Sequence, residues 1–125
     1  MEDTSALAIG QLEQKLAQRV VELFQNYLGH QAQHVSCKLT EKNLTIVVED
    51  SITRLEQFLA NRGRQELAQQ VRTGLLKALE PQLTFLIEEV ANVPVVDVIT
   101  NSTFDTGRTS IVAILAAEPD LVRPK

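Results

Sequence analysis

Residues 34–49 read HVSCKLTEKNLTIVVE, and this stretch decides the fold. Apolar and polar residues alternate on both sides of a short polar linker that runs from Thr40 to Asn43. A period of two predicts a pair of antiparallel strands with one face on a core, and Asn43 tolerates the positive φ of a tight turn. Val47 is the exception, because it places an apolar side chain on the polar face of the hairpin.

The segment before the hairpin has the period of a helix. Its apolar residues recur at spacings of three and four, at Leu12, Leu16, Val20, Leu23 and Tyr27. Gly29 follows the last apolar turn, where a left-handed C-cap is favoured. We therefore expect a helix that begins between Ser5 and Leu12 and ends at Gly29.

A short helix is predicted after the hairpin. Thr53 and Glu56 have the spacing of a capping box, in which each residue bonds the backbone N–H of the other. Leu55, Phe58 and Leu59 then form one apolar face. The sequence Arg62-Gly63-Arg64 interrupts this helix.

A longer helix follows the interruption. Its predicted apolar stripe consists of Leu67, Val71, Leu75, Leu79, Leu83, Leu86 and Val90. Pro81 lies inside the stripe and lacks the N–H that would bond the preceding turn. We expect the helix to bend there and to continue to about Asn92.

Two further β-rich runs, residues 93–99 and 111–115, complete the order α-β-β-α-α-β-β. Strands joined as hairpins predict a mostly antiparallel four-stranded sheet with helices packed on it, which is an α+β two-layer sandwich. By its length the chain is a single domain, residues 1–125. We expect an ordered core over about 10–116, between an acidic start and a Pro-containing tail.

Composition excludes several classes of protein. The net charge of −4 argues against binding to the phosphate backbone of nucleic acids. Cys37 is the only cysteine, which fits a reducing cytoplasm. No apolar run approaches the ~20 residues of a membrane span, and the first residues lack the basic start and apolar core of a signal peptide. We expect a cytoplasmic protein without membrane insertion.

Several sequence blocks occur in an order that resembles a known family. They are residues 52–59 (ITRLEQFL), Val71-Arg72, the stretch from Ile87-Glu88 to Val95, and residues 105–115. The chain is similar to the small bacterial domain family named after the MpsC component of a Na+-translocating, membrane-potential-generating system. It looks closest to the cyanobacterial members. The resemblance implies a cytoplasmic accessory or regulatory domain and supplies no catalytic residues.

Catalytic and metal-binding interpretations find little support. His30, His34 and Cys37 could begin a zinc site, but a structural site needs four ligands, and no other His or Cys exists. The alternation around Cys37 predicts a buried, inert thiol. The Asp105-Thr106-Gly107 triplet is also found in aspartic proteases, yet it is good turn chemistry. We therefore predict no enzyme, no metal and no cofactor.

Two functions remain from different classes. The first is a non-catalytic interaction or regulatory domain that acts through protein–protein contacts. The alternative is a sensor domain that binds a small molecule or anion with the arginine-bearing segment 52–64. The main cluster of positive charge consists of Arg54, Arg62, Arg64 and Arg72. The candidate residues of the sensor are Arg54, Arg62 and Arg64, with Arg108 at a strand entrance.

The sequence also predicts a homodimer. A two-layer domain leaves one sheet face to be covered, and a second copy is the commonest cover. The predicted dimer face consists of Val47, Val96, Val98 and Val112. The competing interpretation is that the helices divide between both faces of the sheet. An unknown protein is the other expected partner.

Overall fold

The structure is a computed structural model that describes residues 4–119, with side chains from residue 8 onward. Within this part of the chain the elements follow the predicted order. They are α1 (Thr4–Leu28), β1 (His34–Thr40), β2 (Asn43–Glu49), α2 (Arg54–Asn61), α3 (Gln65–Ala91), β3 (Val95–Thr103) and β4 (Arg108–Leu115). The strands form one antiparallel sheet of order β1-β2-β4-β3. The α+β prediction is therefore confirmed.

Helices α1 and α3 pack on one face of the sheet, and α2 packs against α3. α1 contacts β1 and α3, and α3 contacts β3. The core between the layers is almost wholly aliphatic, and Phe24 is its one buried aromatic side chain among the described residues. Its largest contributions come from Leu16, Val20, Leu44, Ile46, Leu83, Ile87, Ile111 and Leu115. In β1, β2 and β4, every second residue points to the opposite face of the sheet, and these residues are the more exposed ones.

Turn chemistry accounts for most of the element boundaries. Gly29 has φ +62° after α1, and Gly63 has φ +76° between α2 and α3. The Thr53 capping box is present at the start of α2. The prediction for the first hairpin is wrong in one detail, because Glu41 (φ 55°) takes the positive φ and Asn43 pairs with Thr40 in the ladder.

The first half of α3 buries a different line of side chains from the predicted stripe. Ala68, Arg72 and Leu76 are buried, whereas Leu67 is exposed. The helix packs against α2 and β3 here, so its inward face is rotated relative to the apolar pattern. Pro81 lies inside the helix, which runs on to Ala91 and is closed by Asn92 at φ 59°.

Two glutamates of the helices bond to edge strands. The Glu13 carboxylate of α1 accepts from the Leu39 N–H of β1 at 2.7 Å. The Glu88 carboxylate of α3 accepts from the Val95 N–H of β3 at 2.8 Å. Both side chains therefore tie a helix to the margin of the sheet. The predicted N-terminal start and most of the predicted tail lie outside the described residues.

Candidate functional site

A buried pair of opposite charges lies between α2 and α3. Arg72 is 2% exposed and Glu56 is 0% exposed. Arg72 Nε donates to Glu56 Oε2 at 2.7 Å, and Arg72 Nη2 donates to Glu56 Oε1 at 2.6 Å. A bidentate guanidinium–carboxylate pair is strong and fixed in direction. It holds the short helix α2 against the long helix α3.

The capping box orients this ion pair. Glu56 Oε1 also accepts from the backbone N–H of Thr53 at 3.0 Å and from its hydroxyl at 2.6 Å. On the other side, Arg72 Nη2 donates to the backbone oxygen of Ser51 at 2.8 Å. One carboxylate therefore serves as a local helix cap and as the partner of a residue sixteen positions away.

One nitrogen of the guanidinium group has no partner. Arg72 Nη1 is buried and makes no hydrogen bond to any described residue. A buried polar group without a partner costs free energy, and the cost is larger when the group is charged. The nitrogen belongs to a side chain that lines a cleft of about 300 Å³ between α3 and β3. We call this space the α3–β3 cleft.

A chain of hydroxyl groups runs from the α3–β3 cleft into the protein. The Ser102 hydroxyl lies 2.6 Å from the Thr109 hydroxyl, which lies 2.7 Å from the Ser51 hydroxyl. Ser51 Oγ donates its proton to the backbone oxygen of Gly107 at 2.9 Å. Because each hydroxyl has one proton, Thr109 must donate to Ser51, and Ser102 must donate to Thr109. Ser102 Oγ is therefore left as an acceptor.

The structure separates the arginines of the predicted anion site. Arg54 and Arg62 lie at opposite ends of α2, which is about 12 Å long. The Arg62 guanidinium lies 4.9 Å from the centre of the Phe58 ring. Arg64 is exposed before α3, and Arg108 donates to Glu49 at 2.8 Å.

Arg72 differs from the other arginines of the predicted cluster, because it is buried. Sequence reasoning counted it with the surface charges. A detectable signal was its spacing of four from Ala68 and Leu76, which places all three on one helix face. The sequence predicted Glu56 as a helix cap. Its bonds to Arg72 could not be predicted, because the two residues are sixteen positions apart and no local pattern links them.

Apolar side chains are exposed on the outer surface of the helices. Tyr27 and Phe85 line one cleft, and Tyr27 and Leu55 line a neighbouring groove of about 600 Å³. Phe58 follows Leu55 by three positions on α2 and shares its side of the helix. The predicted apolar faces of α1 and α2 therefore do not bury Tyr27, Leu55 and Phe58. We call these four residues the helical apolar surface.

The residues of the predicted dimer face occupy different positions. Val47 and Val112 lie on the sheet face opposite the helices. Val98 packs against the core, because an irregularity in the ladder between Val95 and Asp97 changes the alternation. Ile99 pairs with Val112 and takes the place predicted for Val98. Val96 is exposed at this irregularity.

The candidate zinc ligands and the thiol are placed as follows. His34 is exposed on β1. Cys37 lies on the helix-facing side of that strand, where it is partly buried and not, as predicted, buried. Burial, and secondarily the charge of Glu13, raises the pKa of Cys37 to about 12. Among the residues described, no group of three His, Cys, Asp or Glu side chains is placed to hold a metal ion. Asp105 lies in the exposed turn between β3 and β4.

The chain matches the model of a known protein family. A family model described as "Na+-translocating membrane potential-generating system (MpsC)" matches residues 8–117. No curated protein and no solved structure matches the chain significantly. Over residues 4–119, no helix combines the length and the apolar character that crossing a bilayer requires. The cyanobacterial type stays a prediction. Because the match spans nearly the whole chain and both of its hairpins, the chain belongs to the MpsC family.

Proposed function

We propose that the chain is a non-catalytic interaction domain that binds another protein through the helical apolar surface. The observation that carries the proposal is the distribution of aromatic side chains. The chain has four phenylalanines and one tyrosine. Tyr27, Phe58 and Phe85 are 57%, 53% and 61% exposed. Aromatic residues are enriched in the contact regions of protein interfaces.

The arrangement of these side chains supports a single binding surface. Tyr27 lies between the two neighbouring clefts and connects Phe85 on α3 with Leu55 on α2. Polar residues such as Arg19 and Gln82 also line the cleft that contains Tyr27 and Phe85. A contiguous apolar patch with a polar rim is typical of a protein interaction site. A groove between helices also accepts the apolar face of a partner helix.

Family membership suggests which partner to expect. The family description names a Na+-translocating, membrane-potential-generating system. We propose that the partner is another protein component of such a system, and that its amphipathic helix lies along the helical apolar surface. We further propose that this contact regulates the system and that it forms in the cytoplasm. The single cysteine supports a reducing compartment.

The state of the polar groups supports a role without catalysis. Both oxygens of Glu56 are engaged by Arg72, and a thiol with a pKa of about 12 is a poor nucleophile at neutral pH. Arg108 is paired with Glu49. These groups contribute to the fold rather than to an exposed reactive centre.

A capture experiment tests the proposed surface. Tagged wild-type protein is incubated with native lysate, beside Tyr27→Lys, Phe85→Lys and the control Gln70→Lys, which adds the same charge at an exposed site of α3 outside the described clefts. We expect wild type and control to retain a component of the membrane-potential system that both surface variants lose. Equal capture by all four proteins, or capture of no such component, contradicts the proposal.

A homodimer through the open sheet face is proposed as the second assembly. Val47, Val112 and Ile99 form a short apolar line on this face, and α1 and α3 pack on the other side. Light scattering at micromolar concentration tests it, with Val47→Asp and the α1 surface control Gln18→Asp. The interface is supported if the wild type is a dimer, Val47→Asp is a monomer and Gln18→Asp remains a dimer. A wild-type mass near 13.9 kDa contradicts it.

A further inference from the structure

The α3–β3 cleft lies apart from the helical apolar surface and has a different chemistry. Its helix side presents residues from three successive turns of α3, and its strand side is the segment 98–102 of β3. Side chains with hydrogen-bonding groups predominate: Gln69, Arg72, Thr73, Lys77, Glu80, Thr100, Asn101 and Ser102. A cleft with convergent polar groups is a candidate binding site.

From this geometry we propose that the α3–β3 cleft binds a small oxyanion, a carboxylate or a phosphate, that accepts hydrogen bonds from Arg72 Nη1. The other two guanidinium nitrogens are occupied by Glu56 and by the backbone oxygen of Ser51. Nη1 retains two N–H donors and no acceptor capacity. Only an acceptor atom can satisfy this buried nitrogen, so the site selects oxygen ligands by the direction of its bonds.

The guanidinium group is held in place before any ligand arrives. Its bidentate pair with Glu56 and its bond to Ser51 leave the side chain no rotational freedom that the ligand would have to restrict. A preorganised donor lowers the entropic cost of binding. Ser102 Oγ, which the hydroxyl chain leaves as an acceptor, offers a second point of contact for the hydroxyl group of a protonated phosphate.

Among the described residues that line the cleft, Arg72 offers a buried donor without a partner. The Glu56 carboxylate is compensated by Arg72, and each of its oxygens already accepts from the guanidinium group. Glu80, which is partly buried, and Lys77, which is exposed, carry the other two charges that line the cleft. The unpartnered group is a cationic donor, and a carboxylate or phosphate oxygen is its strongest partner.

A nuclear magnetic resonance titration of the 15N-labelled full chain tests the site. The probes are inorganic phosphate, acetate and acetamide, with sodium chloride at matched ionic strength as the reference. Acetamide has the shape of acetate without its charge. We expect phosphate or acetate to shift the amide signals of residues 69–77 and 98–102 with a dissociation constant of about 10 mM or tighter.

Two pairs of variants locate the binding, and none of them removes the buried ion pair. Lys77→Gln should weaken oxyanion binding roughly threefold, whereas Lys15→Gln, which removes the same charge from the exposed surface of α1, should not. Thr73→Phe should fill the cleft and abolish binding, whereas Gln70→Phe on the same helix should leave it unchanged.

Three results overturn the proposal. The first is the absence of saturable shifts with phosphate and acetate, which shows that only water occupies the cleft. The second is binding that survives both Lys77→Gln and Thr73→Phe. The third is equal affinity for acetamide and acetate. Because these variants lie outside the helical apolar surface, their failure is distinguishable from failure of the proposed protein contact.

Discussion

Glu56 and Arg72 join two helices through a bidentate ion pair that is closed to solvent on nearly all sides. A buried pair of this kind adds little net stability, because the two ions lose their hydration when the protein folds. It does penalise any arrangement in which the two residues separate. The ion pair therefore fixes the position of α2 on α3 more than it increases the stability of the protein.

Replacement of one partner of this pair should be costly. Glu56→Gln leaves the Arg72 charge buried without a counter-ion and is expected to lower the free energy of unfolding by about 3–5 kcal/mol. Urea denaturation at neutral pH measures the change. The double variant Glu56→Gln/Arg72→Met should lose less than the sum of the single variants, because it removes the unpaired charge. A loss below about 1 kcal/mol in Glu56→Gln is incompatible with this account.

The hydroxyl chain predicts a similar effect at Thr109. Thr109→Val keeps the shape of the side chain but removes the bridge between Ser51 and Ser102. We expect a loss of about 1–3 kcal/mol in the free energy of unfolding. Thr45→Val, the same change at an exposed position of β2, should stay within about 0.5 kcal/mol of wild type. Equal effects at the two positions contradict the assigned chain.

Two glycines should respond to alanine in opposite directions. Gly29→Ala places a side chain at φ +62° and should destabilise the protein by about 1 kcal/mol. Gly74→Ala lies inside α3, where an added Cβ meets open space, and should stabilise it by about 0.5–1 kcal/mol. Thermal unfolding of both variants measures the difference. Stabilisation by Gly29→Ala would exclude the left-handed cap.

Cys37 should react slowly with thiol reagents in the native state. A pKa of about 12 instead of 9.0 reduces the thiolate fraction at pH 8 about a thousandfold. Kinetics with a chromogenic disulfide reagent measure the rate, with and without denaturant. The matched control is Ser36→Cys in a Cys37→Ala background, which puts the thiol on the exposed side of β1 and should react fast. Similar native rates for both thiols oppose the prediction.

The same shift gives a signed dependence of stability on pH. Above pH 9.0 the Cys37 thiol ionises in the unfolded chain, whereas the native thiol stays protonated until about pH 12. The unfolded state therefore binds fewer protons, and stability falls as pH rises through this range. Wild type should lose stability relative to Cys37→Ala above pH 9.0, by urea denaturation. A gap that stays constant from pH 7 to pH 10 argues against the raised pKa.

The sequence was a sound guide to most features that depend on neighbouring residues, although the turn at Glu41 and the buried face of α3 differ from the prediction. The alternation in β1 and β2, the left-handed glycine after α1 and the Thr53 capping box are local, and all are confirmed. The candidate clefts depend on how α2 and α3 pack, and no local pattern encodes the bond from Arg72 to Glu56. Exposure of Leu55 and Phe58 was missed for the same reason, because the buried face of α2 is that of Glu56.

The two carboxylates at the sheet margins limit how this protein can polymerise. The outer strands of a sheet normally offer free N–H groups on which a strand of another molecule can extend the ladder. Glu13 occupies one such group on β1, and Glu88 occupies one on β3. An incoming strand must displace a bonded carboxylate at either edge, and this requirement opposes fibril growth. Any pairing of copies through the edges of the sheet is disfavoured for the same reason.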